Sequence, residues 1–130
     1  EGVSAVCEAI QSNKETKLSS LNFKGNGIGP VGANAVAAMV AVTGGLTSID
    51  LSENALCGVV QSFGGVSGTY TAEGITAIAD ALRVNGGLTS LGLSNNALCG
   101  VSCFGGTYTA EGITAIADAL RVNGALTKIE

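Results

Sequence analysis

Three short segments of the chain alternate apolar and polar residues, and each is followed by a stretch in which apolar residues recur every three or four positions. The alternating segments begin at Leu18, Leu46 and Leu88 and fit the pattern L-x-x-L-x-L-x-x-N-x-L, with Ile or Phe at some apolar positions. A fourth, incomplete copy begins at Leu126. Alternation places every second side chain on the same face, so the pattern predicts short strands that bury one face and leave the other free.

The stretches after the strands have the spacing of amphipathic helices. Their apolar residues follow positions i, i+3, i+4 and i+7, which lie on one helix face. Residues 1–13 align with the same helical sequence, so the chain is expected to begin within the helix of a partial unit, and the Asn-Gly pairs at Asn85 and Asn123 are natural helix stops. The predicted core faces are Ala33, Val36, Ala37 and Val40, then Ile75, Ile78, Ala79 and Leu82, then Ile113, Ile116, Ala117 and Leu120.

The sequence also repeats itself over a longer distance. The 18 residues TYTAEGITAIADALRVNG at 69–86 recur letter for letter at 107–124. Together with the L-x-x-L-x-L-x-x-N-x-L segments, this repetition resembles the leucine-rich-repeat proteins, and the helix-bearing units resemble their ribonuclease-inhibitor-like subfamily. The resemblance implies an α/β fold: a leucine-rich-repeat solenoid with a curved parallel sheet on the concave side and helices on the convex side, truncated at both ends.

The expected organisation is a single leucine-rich-repeat array over residues 1–130. A strand and a helix of this size cannot bury their apolar faces alone, so each unit should depend on its neighbours. Asn26, Asn54 and Asn96 end the strand patterns, where an amide side chain can pair with the exposed backbone of the turn. The units are a partial unit at 1–17, full units at 18–45, 46–87 and 88–125, and a partial unit at 126–130.

The units differ in length because two of them carry an insert. The strand patterns are spaced by 28, 42 and 38 residues, and the extra length falls at 59–71 and 101–109. Aromatic residues on glycine-flanked loops can supply binding area to a protein partner, or they can fold back over the edge of the core. The inserts hold four of the five aromatic residues, which are the candidate partner-binding residues Phe63, Tyr70, Phe104 and Tyr108.

Two other surfaces were candidates for contact with partners. No residue between Gly25 and Ile49 is charged, so Met39 and Val42 are expected on an apolar outer surface that either docks a neighbouring subunit or membrane complex or is merely an alanine-rich exposed helix. The concave face should carry small neutral side chains and few anchors of the Trp, Tyr or Arg type, which disfavours a tight globular ligand there. It is expected to expose Ser19, Ser20, Asn22, Lys24, Thr47, Ser48, Asp50, Ser52, Thr89, Ser90, Gly92 and Ser94.

Composition excludes several classes of function. The net charge is −4 and Lys and Arg form no block, which argues against nucleic-acid binding. The sequence has no run of about 18 apolar residues, so no transmembrane segment is expected. Histidine is absent and no CxxC spacing occurs, so no metal site, cofactor or catalytic residue is predicted. The chain is therefore not expected to be an enzyme.

The cysteines have structural interpretations. Cys7 aligns with Ala79 and is expected to be a small core residue. Cys57 and Cys99 occupy the same position in adjacent units, and strands stacked about 5 Å apart would allow either a disulfide between them or two stacked free thiols. Cys103 lies in an insert and either pairs with Cys99 or stays free.

The sequence thus favours a non-catalytic protein–protein interaction scaffold, an accessory or structural subunit that contacts other protein subunits in a larger assembly. A narrower version places it in peripheral contact with an organellar membrane complex such as a photosystem. The alternative is a regulatory inhibitor or a ligand-sensing repeat region of a larger multidomain protein. No small-molecule substrate is expected.

Overall fold

The computed structural model describes residues 2–62, 65–102, 105–106 and 108–130, and these form helices alternating with short strands. The helices are α1 (Gly2–Ser12), α2 (Gly29–Val42), α3 (Glu73–Val84) and α4 (Glu111–Leu120). The strands are β1 (Ser20–Asn22), β2 (Ser48–Asp50), β3 (Val60–Ser62), β4 (Gly65–Ser67), β5 (Ser90–Gly92), β6 (Val101–Ser102), β7 (Gly105–Gly106) and β8 (Lys128–Ile129).

One parallel sheet joins the strands that the alternating pattern predicts. Its order is β1-β2-β5-β8, and neighbouring strands pair with equivalent residues opposite each other. Ser20, Ser48, Ser90 and Lys128 form one row, and Leu21, Ile49, Leu91 and Ile129 form the next. Ile49 and Leu91 are buried. The prediction of an α/β chain with a parallel sheet and one buried strand face is therefore confirmed.

The helices pack against one another in chain order, α1 on α2, α2 on α3 and α3 on α4. All the predicted core positions of α2 and α3 are buried. In α4, Ile116 is buried, but the other predicted core positions are exposed: Ile113 is 49% exposed, Leu120 is 40% exposed, and Ala117 is exposed as well. No helix of the described structure packs on the far side of α4, so only the side that faces α3 is covered.

The structure corrects the prediction for Met39. This side chain was expected on an apolar outer surface with Val42, but it is 0% exposed. Helix α2 lies between α1 and α3, so it buries residues on its flanks as well as on the side that faces the sheet. Val42, in the last turn of α2, is 63% exposed.

The asparagines at the ends of the strand patterns connect neighbouring units. The Oδ1 atom of Asn54 accepts hydrogen bonds from the backbone N–H groups of Asn26 (2.8 Å) and Ile28 (3.3 Å) in the preceding unit. Its Nδ2 donates to the carbonyl of Phe23 in that unit and to those of Leu51 and Ser52 in its own. Asn96 makes the equivalent bonds one unit later. The predicted pairing with turn backbone is confirmed, and it also joins the units.

A second pair of asparagines has a role that the sequence did not indicate beyond a helix stop. Asn85 donates from Nδ2 to the carbonyls of Val40 and Thr43 in the preceding unit, and its Oδ1 accepts from the N–H groups of Gly87 and Leu88. Asn123 repeats this arrangement on the carbonyls of Leu82 and Asn85. These side chains hold the end of one helix to the start of the next strand.

Candidate functional site

The two inserts fold as β-hairpins on the same edge of the molecule. In the first, β3 pairs antiparallel with β4, and in the second, β6 pairs antiparallel with β7. Strand β4 contacts β7, so the hairpins lie side by side. The unit at 18–45 has no such insert and forms the same strand and helix. We call the two hairpins, with the turns at 53–59 and 95–100 that lead into them, the hairpin edge.

The root of the first hairpin is closed by close backbone contacts. Gly58 and Gly68 have φ angles of +83° and +88°, and a Cβ added to Gly68 would collide with the carbonyl oxygen of Gly58. The backbone N–H of Thr71 donates to the carbonyl of Cys57 at 2.9 Å, which closes the insert. In the second insert, the backbone N–H of Thr109 donates to the carbonyl of Cys99 at 2.8 Å. Because glycine tolerates both the positive φ and the close approach, the hairpins leave the units at a defined position.

Tyr70 ties the first hairpin to the following unit. Its hydroxyl donates to the carbonyl of Leu98 at 2.7 Å and accepts from the N–H of Gly112 at 3.1 Å. Burial, followed by the neighbouring Cys57 thiol, raises the pKa of Tyr70 to about 12, so the phenol stays protonated at neutral pH. Of the two alternatives for this insert residue, the structure shows the ring folded back against the core.

Tyr108 occupies the position of Tyr70 one unit later but is 71% exposed. After α4 the described structure continues only to β8, and it includes no residues at the positions equivalent to Leu98 and Gly112, which bind the Tyr70 hydroxyl. The candidate residues Phe63 and Phe104, and the insert cysteine Cys103, lie outside the described residues.

Replacing Tyr70 with phenylalanine is expected to destabilise the fold by about 1–2 kcal/mol, because the Leu98 carbonyl and the Gly112 N–H lose a common partner. Tyr108→Phe is the matched control and should leave the free energy of unfolding unchanged. Urea denaturation followed by circular dichroism measures both. Equal effects of the two substitutions would contradict the role assigned to the Tyr70 hydroxyl.

Cys57 and Cys99 are both free thiols in the structure, which corresponds to the second of the alternatives for this pair. Cys57 is buried, and burial raises the pKa of its thiol, with the Tyr70 hydroxyl acting in the opposite direction. Cys7 is also buried in the core, as predicted, and burial raises its pKa to about 11. Thiols with raised pKa values are poor nucleophiles at neutral pH, so Cys7 and Cys57 behave as core residues.

A groove of about 330 Å³ lies between the turns and the root of the first hairpin. Val59 is nearly buried, whereas Val60 is 48% exposed. Glu53 is the one charged residue of the lining, and its carboxylate lies 3.6 Å from the ammonium group of Lys24. The lining consists of Glu53, Ala55, Val59, Val60, Asn95 and Ala97.

Three threonine hydroxyl groups beside the parallel sheet form hydrogen bonds within the fold. Thr47, Thr89 and Thr127 each donate to the carbonyl at the equivalent position of the preceding unit, at 3.0–3.2 Å. Hydrogen bonds from the Ser52 hydroxyl and N–H lower the pKa of Asp50, whose carboxylate lies over Gly92. Ser52 was expected to be exposed on this face but is buried, because its hydroxyl is turned to the Asp50 carboxylate.

Within the described residues, no group of three or more Cys, Asp or Glu side chains is placed to hold a metal ion. The described helices also include none with the length and apolar character needed to cross a membrane.

Neither a protein-family model nor a curated protein matches the chain. Among solved structures, the chain is similar to "Leiomodin-1 Actin-Binding Site 2 (ABS2)", with a TM-score of 0.65 and 26% sequence identity over 98% of this chain. The chain spans about 60% of the length of that structure. The likeness is consistent with a protein-interaction role.

Proposed function

We propose that the chain forms a ribonuclease-inhibitor-like leucine-rich-repeat solenoid and serves as a non-catalytic protein-interaction module that binds its partner through the hairpin edge. The observation that carries this proposal is the pair of adjacent hairpins. They add surface to two units, while the unit at 18–45 forms its strand and helix without one.

The way the hairpins are held supports the same proposal. A loop that only connects two elements can vary in length at little cost in stability, since each doubling of its length costs about 0.6 kcal/mol. These inserts instead have roots closed by backbone hydrogen bonds, and the first is fixed to the next unit by Tyr70. Rigid presentation lowers the entropy lost on binding, which favours recognition.

The proposal is tested with a hairpin-deleted variant in which 60–67 and 101–106 are replaced by short Gly-Asn links. The roots and Tyr70 are retained, so the variant should unfold cooperatively like the parent chain. Both proteins are immobilised and used to capture binding partners from a cell extract. Quantitative mass spectrometry then compares the amount of each captured protein. Partners should be enriched at least about tenfold by the parent over the variant, corresponding to about 1.4 kcal/mol of binding free energy. Equal recovery by both would contradict a contribution of the hairpins to partner binding.

Actin is a specific candidate partner because the chain resembles an actin-binding site over nearly its whole length. Binding of purified monomeric actin is measured by fluorescence anisotropy with the parent chain and the hairpin-deleted variant. Saturable binding by the parent that is lost in the variant would support actin as the partner. Absence of binding by the parent would eliminate actin while leaving the capture experiment to decide the general proposal.

A further inference from the structure

The groove of the hairpin edge is lined by residues with an unusual backbone conformation. Among the described non-glycine residues, those with positive φ are Glu53 (57°), Ala55 (51°), Asn95 (56°) and Ala97 (50°). All of them line this groove. Positive φ is unfavourable for residues with a Cβ, and such residues concentrate at functional sites.

The first unit shows that these side chains are not needed for the turn. Gly25 occupies the position of Glu53 and Asn95, and Gly27 occupies the position of Ala55 and Ala97. Both glycines have the same left-handed conformation, with φ angles of 69° and 62°. The unit without a hairpin therefore uses the residue that is free of strain, and the units with hairpins carry strained side chains that face the groove.

We propose that this groove binds an extended segment of a protein partner that presents a branched apolar side chain next to a Lys or Arg residue. The proposal rests on the proposed function, because it names the kind of segment that the hairpin edge recognises. Ala55, Ala97 and the valines at 59 and 60 supply apolar walls, and Asn95 is the uncharged polar residue of the lining.

The size and the charge of the groove both favour an extended segment with a basic residue. A volume of about 330 Å³ accommodates one or two side chains, whereas a helix with its side chains is about 10–12 Å across. Glu53 gives the lining a negative charge. Its contact with Lys24 joins two side chains that are each about half exposed, and such pairs contribute little, so a basic group of the partner can replace Lys24.

The proposal is tested on the intact chain with two small probes, N-acetyl-Leu-Lys-amide and N-acetyl-Leu-Glu-amide, followed by amide chemical shifts in NMR titrations. The shifts should be saturable and confined to residues 53–60 and 95–98. The Lys probe should bind about two- to fivefold more tightly than the Glu probe, as for an exposed ion pair. In Glu53→Gln this preference should disappear.

A double variant, Ala55→Gly with Ala97→Gly, separates the groove from the fold. It should raise the melting temperature by a few degrees, because glycine relieves the strain, and weaken both probes by about three- to tenfold, because two methyl groups of the wall are removed. A conversion of Gly25 and Gly27 to alanine is the matched control and should lower stability without changing probe affinity.

Shifts scattered over the surface, or unchanged affinity in the double glycine variant, would overturn the groove proposal. Either result is distinguishable from failure of the proposed function. Capture that depends on the hairpins while the probes do not bind would leave the function standing and eliminate the groove. Probes that bind while capture is unaffected by hairpin deletion would eliminate the hairpins as the partner's binding surface and would leave the groove, whose turns the variant retains.

Discussion

Asn54→Ala is expected to lower the free energy of unfolding by about 3–4 kcal/mol, one of the largest effects of any single substitution in this chain. The side chain is 1% exposed and pairs with the N–H groups of Asn26 and Ile28 and with three carbonyls. Alanine can form none of these hydrogen bonds, so buried backbone groups between the two units are left unpaired. Urea denaturation monitored by far-ultraviolet circular dichroism measures the change.

Asn26→Ala is the matched control for this experiment. Asn26 has the same place in its unit, but its side chain is exposed and donates only to the carbonyls of Phe23 and Lys24. Its loss should cost less than about 1 kcal/mol. Similar destabilisation by both substitutions would mean that bonding between units contributes nothing beyond the local turn.

Asn85→Asp is expected to destabilise the chain by about 3 kcal/mol at neutral pH. A carboxylate at this buried position carries a charge and has no N–H group to donate to the carbonyls that the amide now binds. The acceptor bonds from Gly87 and Leu88 can survive, but a carboxylate oxygen would face the carbonyls of Val40 and Thr43, to which Nδ2 now donates. The shape of the side chain is unchanged, so the effect reports the lost donor and the added charge.

Asn123→Asp provides the comparison, since the local sequence Arg-Val-Asn-Gly is identical and the bonds are equivalent. Asn123 is only part-buried, so water can solvate a carboxylate there and the loss should be about half as large. Thermal unfolding of the two variants side by side makes the comparison. A larger loss at position 123 would contradict the importance assigned to burial.

Much of the fold follows from local patterns in the sequence. Alternation at Ile49 and Leu91 correctly predicted strands with one buried face, and the helical spacing correctly predicted the core faces of α2 and α3. Met39 was misplaced because α2 is apolar on nearly every side, so its pattern alone does not distinguish a buried flank from an exposed one. Whether a flank of α2 is buried depends on its packing between α1 and α3, and the sequence of α2 alone does not contain that information.

Contacts between units were harder to predict. The exact recurrence of Asn85 and Asn123 signalled a repeated requirement, but the carbonyls that they bind lie about 40 residues earlier in the chain. Similarly, the sequence located both inserts and identified Tyr70 as notable, but its bond partner in the next unit depends on how the units stack. The strained turn residues carry no sequence signal other than the replacement of Gly25 and Gly27 by residues with side chains.

The central claim is that the repeated units maintain the fold and the hairpins are added for recognition. The free energy of unfolding of the hairpin-deleted variant, measured by urea denaturation, tests this most directly. The claim predicts a value within about 1 kcal/mol of the parent chain, with an unchanged dependence on urea concentration. A loss of more than about 3 kcal/mol, or a non-cooperative transition, would show that the hairpins belong to the folding core and contradict the claim.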